Sequence, residues 1–445
     1  MNVEETIAAV ATPPGRGGIA VIRISGPQVQ QAMFAVLNKK LMPRAALFCD
    51  FLDENQEVMD QGIALFFPAP ASFTGEDVLE LQGHGGPVIA DHLLRRLFLL
   101  GIRLAKPGEF TERAFLNNKM DLIQAESVAD LINASSLQAA CAALHSLQGD
   151  FSRLIYRLVE SLIELRVYIE AALDFPEEEI DFLKEPILIE KTKNLIQELE
   201  MILSQAKQGV LLQEGMTVVI AGHPNAGKST LLNALSKKDV AIVTDIPGTT
   251  RDVLRQEIQI EGLPVHIVDT AGLRLSQDKI EQEGVRRAKE EIKKADQLLW
   301  IVDITKKEKE MPAFDFEYTA PLTIVYNKID LIGEKQKILN LGNRTEIYLS
   351  AKLNLGMDLL QTYLKNAVGY VGDEGKFTAR TRHIFALKQA QINLKQALFF
   401  LKEENHGELI AEELRHAQQH LNGITGEFSN EDLLGRIFSS FCVGK

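Results

Sequence analysis

At 445 residues the chain is too long for one ordinary core and reads as about three folding units. Hydrophobic residues at 46% and charged residues at 24%, with no apolar run near the ~20 residues that cross a bilayer and no secretory leader over residues 1–16, point away from disorder, membrane insertion and export and towards a cytoplasmic location. A formal charge of −13 argues against broad, sequence-independent nucleic-acid binding, and Cys49, Cys141 and Cys442, odd in number and widely spaced, fit neither a disulfide framework nor zinc.

Residues 1–118 mix short apolar runs at 7–11, 19–24 and 62–67 with glycine and proline punctuation, the pattern of strands joined by turns. After Gly83-His84-Gly85-Gly86, Pro87 suits a first helical position, and Val88, Ile89, Leu93, Leu94 and Leu97 share one helix face. From about residue 121 to 208 glycine almost vanishes, and spacings such as Leu154, Leu158, Leu162, Leu165 and Ile169 predict long helices. Pro176 breaks that pattern, and Glu177-Glu178-Glu179 favours a new start. Around 209–215 strand, turn and helix begin to alternate and continue to about 372, predicting a mostly parallel sheet covered on both faces. A second helical stretch follows from about 378. The expected fold is multidomain, α/β plus all-α: an α/β domain at 1–118, a helical domain with halves at 119–210 and 378–445, and a doubly wound, Ras-like P-loop domain at 216–371 inserted between the halves.

A buried-strand run at 217–221 leads into Gly222-His223-Pro224-Asn225-Ala226-Gly227-Lys228-Ser229 and then an apolar helix, the context a phosphate-binding loop requires. Backbone N–H groups of Asn225, Ala226, Gly227, Lys228, Ser229 and Thr230 can close around phosphates, the Lys228 charge suits the β- and γ-phosphates, and the Ser229 hydroxyl suits Mg2+. Asn327-Lys328-Ile329-Asp330 follows a second buried strand. Asp330 can accept from guanine N1 and N2, a donor pair that adenine lacks, so GTP is the expected nucleotide. Ser350, Ala351 and Lys352 fit the loop that supports the base. Asp269-Thr270-Ala271-Gly272 closes another strand and suits Mg2+ and the γ-phosphate, while Thr244, Asp245, Ile246, Pro247, Gly248, Thr249 and Thr250 form a polar segment able to order on that phosphate, with Thr250 a second magnesium ligand. The water-orienting glutamine of small GTPases is replaced by Leu273, so that function must come from another residue, a cation or a second molecule, and the residues the sequence offers are Asn225 and Glu281.

These residues, with 17–26, 73–78, 83–87, 107–111, 244–252 and the ending Phe441-Cys442-Val443-Gly444-Lys445, resemble the MnmE (TrmE) family of tRNA-modifying GTPases along the whole chain. The resemblance implies a homodimer formed through an amino-terminal domain that binds a reduced folate, either 5,10-methylene- or 5-formyl-tetrahydrofolate. It further implies a flavoprotein partner, MnmG, in a heterotetramer or larger complex. The pair would install a 5-carboxymethylaminomethyl group on the wobble uridine, position 34, of certain tRNAs. The folate would provide the one-carbon unit, FAD and NADH would enter through the partner, and glycine or ammonium would provide nitrogen. Carried over by position, the folate contacts fall on Arg23, Glu80, Lys119 and Lys445, and K+ on Asn225, Thr244, Ile246 and Thr249. The same comparison makes Glu281 and Lys228 catalytic in hydrolysis and puts Cys442 beside the folate as a candidate in the modification chemistry.

Two other classes merit comparison. A ribosome-assembly GTPase would add a basic RNA-binding module after the G domain, whereas residues 378–445 read as helices. A guanine-nucleotide scaffold with negligible hydrolysis would suit Leu273.

Overall fold

The computed structural model describes residues 5–174, 186–236, 255–269, 290, 293–306, 320–342, 344–372, 376–403, 407–427 and 431–444. They fall into two compact units, Met1–Ala129 with Gln419–Lys445, and Asp130–Gln418.

In the first unit, β1 (Ile7–Val10), β2 (Ile19–Ser25), β3 (Leu47–Leu52), β4 (Val58–Phe67), β5 (Val78–His84) and β6 (Arg103–Leu104) form a sheet of order β3-β4-β5-β2-β1-β6, antiparallel except where β1 meets β6. Strand alternation sends Ile22, Ile24, Ala64, Phe66, Leu79 and Leu81 to one face, where α1 (Val29–Leu37) and α2 (Pro87–Leu99) cover them with Val29, Met33, Leu93 and Leu97. Each large side chain so buried contributes roughly 1.5–3 kcal/mol. The opposite face is covered only in part. Phe110 of α3 (Glu109–Leu116) packs on Ile7 and Ala9 there, while the cross-strand pair Phe48 and Ile63 stays 68% and 38% exposed.

Helix α3 also buries charge. Glu109 accepts from Arg103 Nη1 and Nη2 at 2.8 and 2.6 Å, from the Lys106 amide at 2.8 Å and from Arg113 Nη2 at 3.1 Å. Burial alone would raise the Glu109 pKa, but these donors outweigh it and hold the carboxyl at about 2. Its neighbour Glu112, also buried and without comparable donors, is pushed up by desolvation and by the Glu109 charge. A carboxylate whose folded pKa lies below its unfolded one stabilises fully above the unfolded value, about 4.3, and loses that contribution as pH falls towards 2. Glu109→Gln should therefore cost on the order of 3 kcal/mol at pH 7, by removing the carboxylate that Arg103 shares with Arg113 and leaving them Glu5 and Glu76 as acidic partners, and the difference from wild type should shrink as pH falls from 5 to 3 in urea unfolding.

The carboxyl end returns to this unit. Ile437 and Phe438 of α12 (Glu431–Ser439), with Phe441, pack against Leu122, Ala125 and Ala129 of α4 (Leu122–Asn133). Beyond them Val443 bridges Pro107, and the Gly108 amide donates to the Cys442 carbonyl at 3.3 Å.

In the second unit, α5 (Leu137–Leu147), α6 (Asp150–Asp174), α7 (Pro186–Glu214), α10 (Thr381–Lys402) and part of α11 (Gly407–Thr425) carry the apolar spacing expected of helices. The sequence pattern placed the end of the helical stretch near Gly209, yet α7 continues to Glu214. Gly209 is a packing notch: a Cβ there would meet the Phe377 carbonyl at 2.5 Å, so its absence lets the 377–379 backbone lie against the helix. Segments on either side of the α/β insertion meet at this point. Phe151 stacks on Phe377 at 4.4 Å, the Ser146 hydroxyl accepts from the Thr378 amide at 2.9 Å, and Arg380 pairs with Asp130 at 2.7 Å. The new helix start expected at 177–179 lies outside the described residues.

The inserted sheet has the order β12-β13-β11-β10-β7-β9-β8, built from β7 (Met216–Gly222), β8 (Arg255–Ile260), β9 (Leu263–Asp269), β10 (Gln297–Asp303), β11 (Leu322–Asn327), β12 (Lys337–Asn340) and β13 (Thr345–Tyr348). Edge strands β8 and β12 are antiparallel and the rest parallel. Val218, Ile220, Leu299, Ile301, Val325 and Ile347 are buried on one face with α8 (Lys228–Ser236) and α9 (Met357–Ala367), while Val219, Leu298 and Val268 are buried on the other, which is why these strands read as unbroken apolar runs. Among the described residues no helix is long and apolar enough to cross a membrane.

Candidate functional site

Strand β7 has β9 on one side and β10 on the other, so chain order reverses beside it and opens a crevice at the carboxyl edge of the sheet. The loop from β7 to α8 lies there. A Cβ at Gly227, whose φ is +97°, would meet Asn327 Nδ2 at 2.3 Å, so only glycine fits both the backbone conformation and the close neighbour. Lys228 Nζ donates to the loop's own carbonyls, Gly222 at 2.8 Å and His223 at 3.1 Å, a position from which it can turn towards a phosphate. Ser229 and Thr230 are exposed on the first turn of α8, with their amides at the positive end of the helix. Asn225 adopts a left-handed conformation with φ of 64°.

The base-recognition loops are tied to this loop by one side chain. Asn327, buried at the end of β11, donates from Nδ2 to the Ala226 carbonyl at 3.0 Å, and its Oδ1 accepts from the Lys328 and Ala351 amides at 2.9 and 3.0 Å. Lys328 extends the tie: its ammonium donates to the Asn225 carbonyl at 2.8 Å and pairs with Asp303 Oδ2 at 2.6 Å. Burial would raise the Asp303 pKa, but hydrogen bonds from Lys328 and Thr305 outweigh it and hold the carboxylate below its ordinary range. Asp303 is a functional candidate that the sequence reading passed over. Its signal was a buried strand ending in an acid beside the strand that carries the base motif.

Asp330 follows in a short 3-10 turn, Ile329–Leu331, and its Oδ1 is buried with no hydrogen-bond partner among the described residues. A buried carboxylate oxygen without a donor is costly, and two N–H groups on one edge of a base such as guanine would meet its demand. Ser350 is buried behind the base loop, its hydroxyl accepting from the Leu353 amide at 3.3 Å, and Lys352 is exposed beside Ala351. Thus Asn225 to Thr230, Asn327, Lys328, Asp330 and Ser350 to Lys352 converge on one sheet edge. Thr244 to Thr250, Thr270, Ala271, Gly272, Leu273 and Glu281 lie outside the described residues, as does the Asp269 side chain. Of the potassium candidates only Asn225 is described.

In the first unit, Arg23 and Glu80 are register partners on β2 and β5 and form an ion pair, Arg23 Nε and Nη2 each 2.9 Å from Glu80 Oε1. The guanidinium lies over the rings of Phe73 and Phe110, 5.6 and 5.7 Å from their centroids. Both contacts use Oε1, so among the described residues Glu80 Oε2 can still accept a hydrogen bond. Lys119 donates to the Pro70 carbonyl at 3.0 Å, on the loop that ends in Phe73 to Glu76. Lys445 lies outside the described residues; Cys442, three positions earlier, is exposed and held beside Gly108.

The sequence matches a family model described as the MnmE helical domain over residues 122–442 and another described as the GTP-binding protein TrmE N-terminus over residues 6–119. Curated relatives carrying the name tRNA modification GTPase MnmE align along essentially their full length. That of Histophilus somni (strain 129Pt) is 56% identical over 99% of each chain, and that of Proteus mirabilis (strain HI4320) is 54% identical over 100% of each. The Vibrio cholerae protein is 56% identical over 99% of each.

Proposed function

Since the chain belongs to the MnmE family of tRNA modification GTPases, we propose that it hydrolyses GTP to GDP and phosphate in a potassium-stimulated reaction of paired G domains. With the flavoprotein MnmG, that reaction gates addition of a carboxymethylaminomethyl group to C5 of uridine 34 in certain tRNAs. The observation that carries the GTPase half is the buried Asp330 Oδ1, which has no hydrogen-bond partner among the described residues and sits in a loop that Asn327 ties to the loop after β7. Domains at 1–118, 119–210, 216–371 and 378–445 are the working division for this cycle.

In the cycle Asp330 selects guanine, the loop amides 225–230 hold the phosphates, and Lys228 leaves the Gly222 and His223 carbonyls for the β- and γ-phosphates. Ser229 and Thr250 would hold Mg2+, and Asn225, Thr244, Ile246 and Thr249 would hold K+; bound there, the cations would supply positive charge against the negative charge that grows on the phosphates. Glu281 orients the attacking water in place of the glutamine that Leu273 displaces. In the first domain Glu80 and Arg23 take the pterin end of the reduced folate, the source of the one-carbon unit, while Lys119 and Lys445 pair its carboxylates. Cys442, whose carbonyl accepts from the Gly108 amide at the start of α3, is the candidate for the modification chemistry. The half-covered sheet face bearing Phe48 and Ile63 supports homodimerisation through this domain.

GTP turnover of the purified chain should be at least tenfold faster in potassium than in sodium, and Glu281→Ala should remove the gain while leaving GTP affinity intact. Equal rates in the two salts overturn the potassium mechanism.

A further inference from the structure

The loop over residues 70–77 reaches Arg23 through Phe73 and Lys119 through the Pro70 carbonyl, yet its own anchors lie outside the proposed folate site. Glu76 is one of them. Its Oε2 accepts from the Ser25 hydroxyl at 2.7 Å, and both its oxygens accept from Arg113 Nη1 at 3.1 and 3.0 Å. Arg113 is 5% exposed, and its other nitrogen donates to Glu109 and to the Glu5 carbonyl. The Ser25 hydroxyl also lies 2.7 Å from that of Thr74, and Asn117 Nδ2 donates to the Thr74 carbonyl at 2.8 Å. Ser25 sits two residues beyond Arg23 on β2, and Arg113 one turn beyond Phe110 on α3. The anchors therefore hold both rings over which the Arg23 guanidinium lies, one directly on α3 and the other through the loop.

We propose that Glu76 and Arg113 are positioning residues for folate binding. They fix Phe73 against Arg23 and set the Pro70 carbonyl that receives Lys119, so that the Arg23–Glu80 pair and the Lys119 ammonium meet the ligand in one arrangement. An unanchored loop would leave Arg23 free to adopt other rotamers, and ordering it would then oppose binding. Neither residue touches the ligand; both act through Phe73. The proposal rests on the reading of this site as a folate site.

The test is calorimetric titration of 5-formyl-tetrahydrofolate into the full-length chain, with GTP turnover and thermal unfolding measured in parallel. Glu76→Gln combined with Arg113→Met, which removes both charges together, should weaken binding at least tenfold. Asn117→Ala, which cuts a loop anchor at an exposed position, should weaken it three- to tenfold with unchanged unfolding temperature. GTP turnover should stay within twofold in both. Wild-type affinity in Asn117→Ala, and in the double variant if that variant folds, overturns the proposal. A wild-type chain that binds no folate overturns the reading beneath it, and the proposal with it.

Discussion

Asp330→Asn should lower GTP affinity by ~10²–10⁴-fold and raise affinity for xanthosine triphosphate. The carboxylate is set to accept from guanine N1 and N2, and two hydrogen bonds to a charged acceptor at ~1.5–3 kcal/mol each give roughly 3–6 kcal/mol. Asparagine turns a donor towards those donors, adding repulsion to the loss. Xanthine carries a carbonyl at C2, which the new amide can satisfy. Because Asp330 Oδ1 has no protein partner among the described residues, the substitution breaks no internal bond there, and the unfolding temperature should stay within a few degrees of wild type. Fluorescent-nucleotide titration with both triphosphates checks this; unchanged GTP affinity would contradict the assignment of the base site.

Lys228→Ala should reduce single-turnover GTP hydrolysis by ~10²–10³-fold, the loss that follows removal of one preorganised donor to developing charge. The side chain rests on the Gly222 and His223 carbonyls, 2.8 and 3.1 Å away, so it is stored within reach of the phosphates. Lys228→Arg should not restore the rate, since the broad planar fork of guanidinium does not replace a compact ammonium inside a tight loop. A rate within threefold of wild type for the alanine variant would remove Lys228 from the mechanism.

The loop from β7 to α8 and the turn after β11 were legible in sequence because the residue types that suit a phosphate and a base fall on a few neighbouring positions there. Gly227, Lys228 and Asp330 each sit where the local pattern places them. The ties between loops were not legible, because they join residues far apart in the chain: Asn327 reaches the carbonyl of Ala226, and Lys328 reaches Asp303. Likewise Arg23 and Glu80 could be named singly, but their pairing depends on the register of β2 with β5. Strand β5 was overlooked because its short alternation runs straight out of the polar loop that Glu76 anchors, and edge strand β3 because Asp50 interrupts its apolar run. Gly209 misled in the opposite direction. Glycine in a helical pattern weakens the expectation of helix, and only the tertiary contact with Phe377 shows why it belongs inside α7.

If GTP turnover by this chain drives wobble-uridine modification, nucleoside mass spectrometry of tRNA will show its loss. Cells lacking the chain should lose 5-carboxymethylaminomethyluridine, regain it with the wild-type gene and fail to regain it with Lys228→Ala. Unchanged wobble uridines in the deletion, or full restoration by Lys228→Ala, would contradict the account.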